Sequence, residues 1–173
     1  MGSGNLVAAR AGELVEAWLG RMREQFPPPS RGFLGREGDP FENPVGAAMR
    51  EAATAVIGYL AGRRDLDSLA SPLDRLCRIR AVQEPRAERS LSFLLDLKEL
   101  LASELGTAGA PPGILRELEV RVDRVLLRAF SYWAEARERI YRVRVQAERR
   151  RTASLLRMVE RTRSRETEGG PAA

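Results

Sequence analysis

Residues 114–168 contain neither glycine nor proline, whereas elsewhere the longest stretch free of both covers residues 86–105. Glycine and proline are the residues that most readily end a helix, one through backbone freedom and the other through its missing amide proton. Within the long run, Leu118, Val122, Val125, Ala129, Trp133, Ala136, Ile140, Val143 and Ala147 follow spacings of three and four. That pattern describes one continuous helix with an apolar seam. A helix persisting to residue 165 would be on the order of 75 Å long at the standard rise per residue. No single small domain covers that length, so its outer half is expected to lie on a partner, pair with a second copy or stand in solvent.

The same run holds the surplus of charge. Residues 1–133 carry 18 basic and 18 acidic side chains and balance, while residues 134–173 carry 11 arginines against 6 glutamates, which accounts for the net charge of +5. The expected organisation is a regulatory domain over residues 1–133, a basic helical extension over 134–168 continuous with the last helix, and a disordered tail over 169–173. A chain of 173 residues suits one domain with an appendage.

Several function classes fall away on composition. There is no histidine, and Cys77 is the single cysteine, which removes the commonest general base, the commonest metal ligand, the usual haem ligand and any cysteine cluster for zinc. No Gly-x-Gly-x-x-Gly or Gly-x-x-x-x-Gly-Lys-Ser/Thr pattern occurs, so phosphate-cradling loops have no support. The acidic residues are mostly interleaved with arginines, as on a solvated helix face. A protein without catalytic activity, cofactor, haem or metal is expected. No apolar stretch approaches the ~18 residues of a membrane span, residues 1–10 lack the apolar core of a signal peptide, and Leu6 stands where N-myristoylation requires a hydroxyl residue. The expected location is the cytoplasm.

Helical periodicity recurs almost throughout and period-two alternation does not, which predicts an all-α fold of about five helices. A first helix over residues 5–25 carries the stripe Val7, Ala11, Leu14, Val15, Trp18, Leu19 and Met22 and ends at Pro27, Pro28 and Pro29; residues 27–43 read as a loop. Asn43-Pro44 is a helix start, with asparagine capping free amides and proline at the first helical position. Phe41 is expected to pack beside that start. The second helix reaches Leu60, with Val45, Met49, Ala52 and Val56 inward; Ser71-Pro72 would open a third, running to residue 83, and residues 86–105 a fourth, rich in leucine. After a loop over residues 106–113 the final helix begins near Ile114.

Three segments, Asp39-Pro-Phe-Glu-Asn-Pro-Val-Gly46, Leu76-Cys-Arg-Ile-Arg-Ala-Val-Gln83 and Phe93-Leu-Leu-Asp-Leu-Lys98, follow Trp18 in order. At this spacing they resemble the RsbRD-type N-terminal domain of the RsbT co-antagonist proteins of the stressosome, over roughly residues 5–140. The resemblance implies a dimeric sensory domain with a globin-like helical fold but no haem, on a linker helix that leads to a phosphorylatable STAS domain. The present sequence departs from that pattern by ending after the linker-like helix, and so resembles a stand-alone form without the STAS domain.

Particular residues admit competing readings. Arg78, Arg80 and Gln83, with Lys98 on the next helix, could form a polar cluster for an anionic ligand or a partner's carboxylate, since arginine offers a fork of donors. The same residues could instead cap helix ends or pair with Asp74 and Asp96. Lys98 is the only lysine against 28 arginines; its place among leucines suits a snorkelling or ion-paired side chain better than an amine nucleophile. Cys77 shares a face with Leu73 and Leu76 and reads as a small buried hydrophobe, with redox sensing the rival. Leu126, Ala129, Phe130, Trp133 and Ile140 form the expected homodimer interface. Among the distal arginines, Arg142, Arg149, Arg150 and Arg151 are candidates for contact with an anionic partner, while pairs such as Glu135–Arg139 and Glu138–Arg142 would offset part of the charge. The function expected is a non-enzymatic cytoplasmic sensory or regulatory domain acting through protein contacts, as a homodimer with an unidentified protein partner, an acidic one being among the candidates. The competing class is an arginine-rich adaptor for nucleic acid or an anionic membrane surface.

Overall fold

The computed structural model describes residues 2–35 and 42–168, with side chains as far as Met158. Residues 39–41 of the Asp39–Gly46 segment, Phe41 among them, lie outside the described residues, as do the side chains of Arg161, Arg163 and Arg165. Among the described residues the fold is all-α. Five helices of 14 residues or more carry it: α2 (Ala11–Glu24), α4 (Pro44–Leu60), α5 (Ala70–Gln83), α7 (Ser92–Thr107) and α8 (Pro112–Glu168). Three short helices join them: α1 (Ser3–Ala9), α3 (Pro28–Leu34) and α6 (Ala87–Ser90). The chain divides into two compact units, Met1–Arg137 and Glu138–Ala173. No described helix is long and apolar enough to cross a membrane.

The core of the first unit follows the periodic stripes. Leu14, Trp18, Leu19 and Met22 of α2 meet Met49, Ala52, Val56 and Leu60 of α4, Leu73, Leu76 and Cys77 of α5, and Phe93, Leu94, Leu97 and Leu101 of α7. From α8, Leu118, Val122, Val125 and Ala129 join the same cluster, all fully buried. Trp18 is the largest buried side chain; its Nε1 donates to the Phe93 carbonyl at 2.7 Å, and its ring lies 6.1 Å from that of Phe93. The indole thus brings apolar area together with a satisfied polar edge.

Several boundaries differ from the sequence expectation. The helix expected over residues 5–25 is two, with a break at Arg10. There the guanidinium bonds the Glu104 carbonyl and carboxylate at the end of α7, while α1 turns to meet the end of α4, where a Cβ on Gly4 would run into the Ala61 carbonyl. Tertiary ties of this kind override local propensity. Pro27, Pro28 and Pro29 do end α2, but Pro28 then opens α3, where a missing amide costs nothing. The helix expected to open at Ser71-Pro72 begins at Ala70, after a 3₁₀ turn over Asp67–Leu69, and Ser71 makes no cap. The turn-stabilising acceptor is Asp65, whose Oδ1 takes the Ser68 amide proton at 2.8 Å. The leucine-rich helix is interrupted at Leu91, and α8 opens two residues earlier than Ile114, at Pro112.

The Asn43 cap is present. Its Oδ1 accepts from the Gly46 amide at 2.9 Å, and its Nδ2 donates to the carbonyls of Phe33 (3.1 Å) and Leu34 (3.3 Å). One amide side chain therefore closes the start of α4 and the end of α3. Arginine does the corresponding work at other helix ends, where the last carbonyls lack intrahelical partners. Arg31 donates to the carbonyls of Glu24, the last residue of α2, and Phe26 just beyond it, Arg121 to those of Tyr59 and Leu60 at the end of α4, and Arg137 to that of Ala81 near the end of α5. Cations at helix C-termini also oppose the negative end of the dipole.

Candidate functional site

The polar cluster expected around α5 is only partly assembled. Arg78 is exposed and pairs with Asp74, one turn earlier on the same helix, at 2.6 Å. Lys98 pairs with Asp123 of α8, also at 2.6 Å, so it is ion-paired and stands apart from the α5 cluster. Asp96 receives the Gln25 amide at 2.6 Å and, through its backbone carbonyl, Arg21. Arg80 and Gln83 do come together, on the rim of one groove.

Arg80 is the centre of that groove, and only 7% of its surface is exposed. Its Nε donates to the Ser90 carbonyl at 3.1 Å; its Nη2 donates to the Arg89 carbonyl at 3.1 Å and to Gln25 Oε1 at 2.9 Å. Phe26 lies 5.2 Å from the guanidinium carbon. These partners fix the plane of the side chain and supply dipoles, but none carries charge. No carboxylate among the described residues forms an ion pair with Arg80, and burial lowers its pKa, partly opposed by the field of Glu84. The groove, about 470 Å³, is bounded by Gln25, Phe26 and Pro27 after α2, by Gln83 and Glu84 at the end of α5, and by Glu88, Arg89 and Ser92 across α6 and α7.

Cys77 is fully buried on the same helix. Burial first, and then the Asp74 charge, push its thiol up to about 12, with Arg80 opposing. The thiol stays protonated under ordinary conditions, which removes the thiolate that redox chemistry needs.

The second region is the outward face of α8 within the first unit. The residues expected at a dimer interface divide between faces. Ala129 is fully buried in its own chain and cannot meet a second copy, because it sits one turn from Val125 in the core seam. Leu126 and Trp133 are partly buried against the core, while Phe130 is 49% exposed and stacks on Trp133 with ring centres 6.1 Å apart. Trp133 Nε1 is sealed without a hydrogen-bond partner, an uncommon state for a buried donor. Val120 and Leu127, which sequence reasoning missed, are 47% and 68% exposed on the outward side. The overlooked signal is the seven-residue spacing Val120, Leu127, Ala134, Tyr141, hidden because the inward seam has the greater apolar content.

In the second unit Ile140 is half-buried, and Arg142 pairs with Glu138 at 3.5 Å. Arg149, Arg150 and Arg151 are exposed and make no hydrogen bond or ion pair among the described residues; the same holds for Arg139, so the expected Glu135–Arg139 pair does not form. Among the described residues no group of three or more acidic or cysteine side chains is placed to hold a metal ion.

The family described as the RsbT co-antagonist protein rsbRD N-terminal domain matches residues 12–150. No curated protein and no solved structure matches the chain. The matched span takes in α2 to α7, the Arg80 groove and the outward face of α8.

Proposed function

The chain belongs to the family of RsbT co-antagonist protein rsbRD N-terminal domains, and from that premise we propose that it is a non-enzymatic cytoplasmic regulatory domain, globin-like in its helix order, that works through protein contacts as a homodimer. The family is one of stressosome-type sensory domains. The observation that supports protein contact most directly is the outward face of α8, where Val120, Leu127 and Phe130 stand exposed opposite a fully packed seam. Large apolar side chains clustered on one exposed strip mark contact sites more often than chance. Val120 and Leu127 lie seven residues apart and Phe130 three further on, a spacing that suits a two-helix seam, and a two-fold axis lets one such strip serve both copies. Sedimentation at micromolar concentration tests the reading. The wild-type chain is expected to run as a dimer, and Leu127→Glu as a folded monomer whose melting temperature falls only by what dimerisation adds and no longer depends on protein concentration, since Leu127 supports little of its own fold. A wild-type chain that stays monomeric across that range overturns it.

A further inference from the structure

We propose that the groove between α2, α5 and the start of α7 is a binding site for a small monocarboxylate, held by Nη1 of Arg80. Arg80 as a residue is more than nine-tenths buried, and a charge so placed is costly unless another charge compensates it. Its Nε and Nη2 donors are spent on carbonyl and amide oxygens, which satisfy hydrogen bonding and leave the charge unpaired. Among the described residues Nη1 has no partner. The sealed polar atoms without partners among those residues are Ser90 Oγ and Trp133 Nε1, so Nη1, equally unpartnered, keeps an opening to solvent, and the groove lies along that side chain.

The surroundings select the charge of the occupant. Arg80 and Arg89 are matched in number by Glu84 and Glu88 around the groove, so a dianion such as phosphate would bring an excess negative charge towards two carboxylates. A singly charged carboxylate gives Arg80 its counter-charge at the cost of one negative charge in excess around the groove, against two for the dianion. With Nη2 occupied, the contact is end-on through one oxygen of the ligand, not the bidentate fork. Gln83 and Ser92 offer neutral polar contacts at the rim, and Phe26, against the guanidinium, supplies apolar surface for a short aliphatic tail. Binding of this kind is independent of the α8 face. Its failure would leave the oligomer measurement untouched, and the reverse.

Thermal unfolding of the full chain in sodium acetate, sodium propionate, sodium phosphate and sodium chloride at matched ionic strength tests the proposal. A ligand that binds only the folded state raises the melting temperature with the logarithm of its concentration once above its dissociation constant. Acetate or propionate is expected to do so, with chloride and phosphate flat. Gln83→Trp, at an exposed position on the rim, is expected to abolish the rise without lowering the ligand-free melting temperature; Arg80→Gln should abolish it too, from a lower starting point. No rise beyond that in chloride, the same rise in Gln83→Trp, or a larger one in phosphate would each overturn the assignment.

Discussion

Asn43 shows how much one side chain can organise. Its amide accepts at the start of α4 and donates at the end of α3, and Gly46 stands so close that an added Cβ would displace it. Replacing a capping residue with alanine typically costs ~1 kcal/mol; Asn43→Ala is expected to cost at least about that, because two carbonyls lose a donor as well. Gly46→Ala should cost a comparable amount, although alanine is the better helix former, because the new methyl group evicts the cap. Chemical denaturation read as a shift in midpoint at constant slope checks both. An unchanged midpoint in Gly46→Ala would mean that the cap tolerates displacement. Arg80 differs in kind. Its contacts hold α6 in place, yet they leave a buried charge without a counter-charge and Nη1 without a partner among the described residues.

At the scale of elements, residue type foretold more than residue position did. The stripe from Val7 to Met22, the inward face of α4 and the seam Leu118, Val122, Val125, Ala129 could be read directly, because burial imposes its period on the sequence wherever a helix is packed on one side. The breaks at Arg10 and Leu91 could not. Both fall inside runs with good helical propensity, and at Arg10 the interruption comes with tertiary bonds to the distant end of α7. The Arg80 groove was half legible for the same reason: Arg80 and Gln83 are neighbours in sequence, whereas Gln25, Phe26 and Ser92 arrive from other helices. Arginine has two uses among these elements. In the first unit Arg31, Arg121 and Arg137 close helix ends, while in the second Arg149, Arg150 and Arg151 close none among the described residues. The latter group is predicted to bind an acidic protein partner. Binding of the full chain to poly-glutamate is expected to weaken as salt rises and to be lost in the triple glutamate variant Arg149→Glu, Arg150→Glu, Arg151→Glu. Tighter, steeply salt-dependent binding to duplex DNA instead would move the partner to nucleic acid, where counterion release sets the slope.

Over the whole molecule, the division at Arg137 separates a unit with a closed core from one without. Among the described residues every buried apolar side chain lies at or before Ala136. A chain ending at Arg137 is therefore expected to fold with a melting temperature close to that of the full chain, because the excised residues contribute no core. Calorimetry of the two forms side by side decides this, and a drop of many degrees would show that the first unit draws stability from residues 138–173. The pairing of Lys98 with Asp123 carries a different consequence. Since the chain has no other lysine, an amine-selective reagent finds one side chain besides the N-terminus, and that side chain sits where α7 and α8 are ionically joined. Its labelling rate is a built-in clock for how often that ion pair opens, readable on the native chain without introducing a single reporter residue.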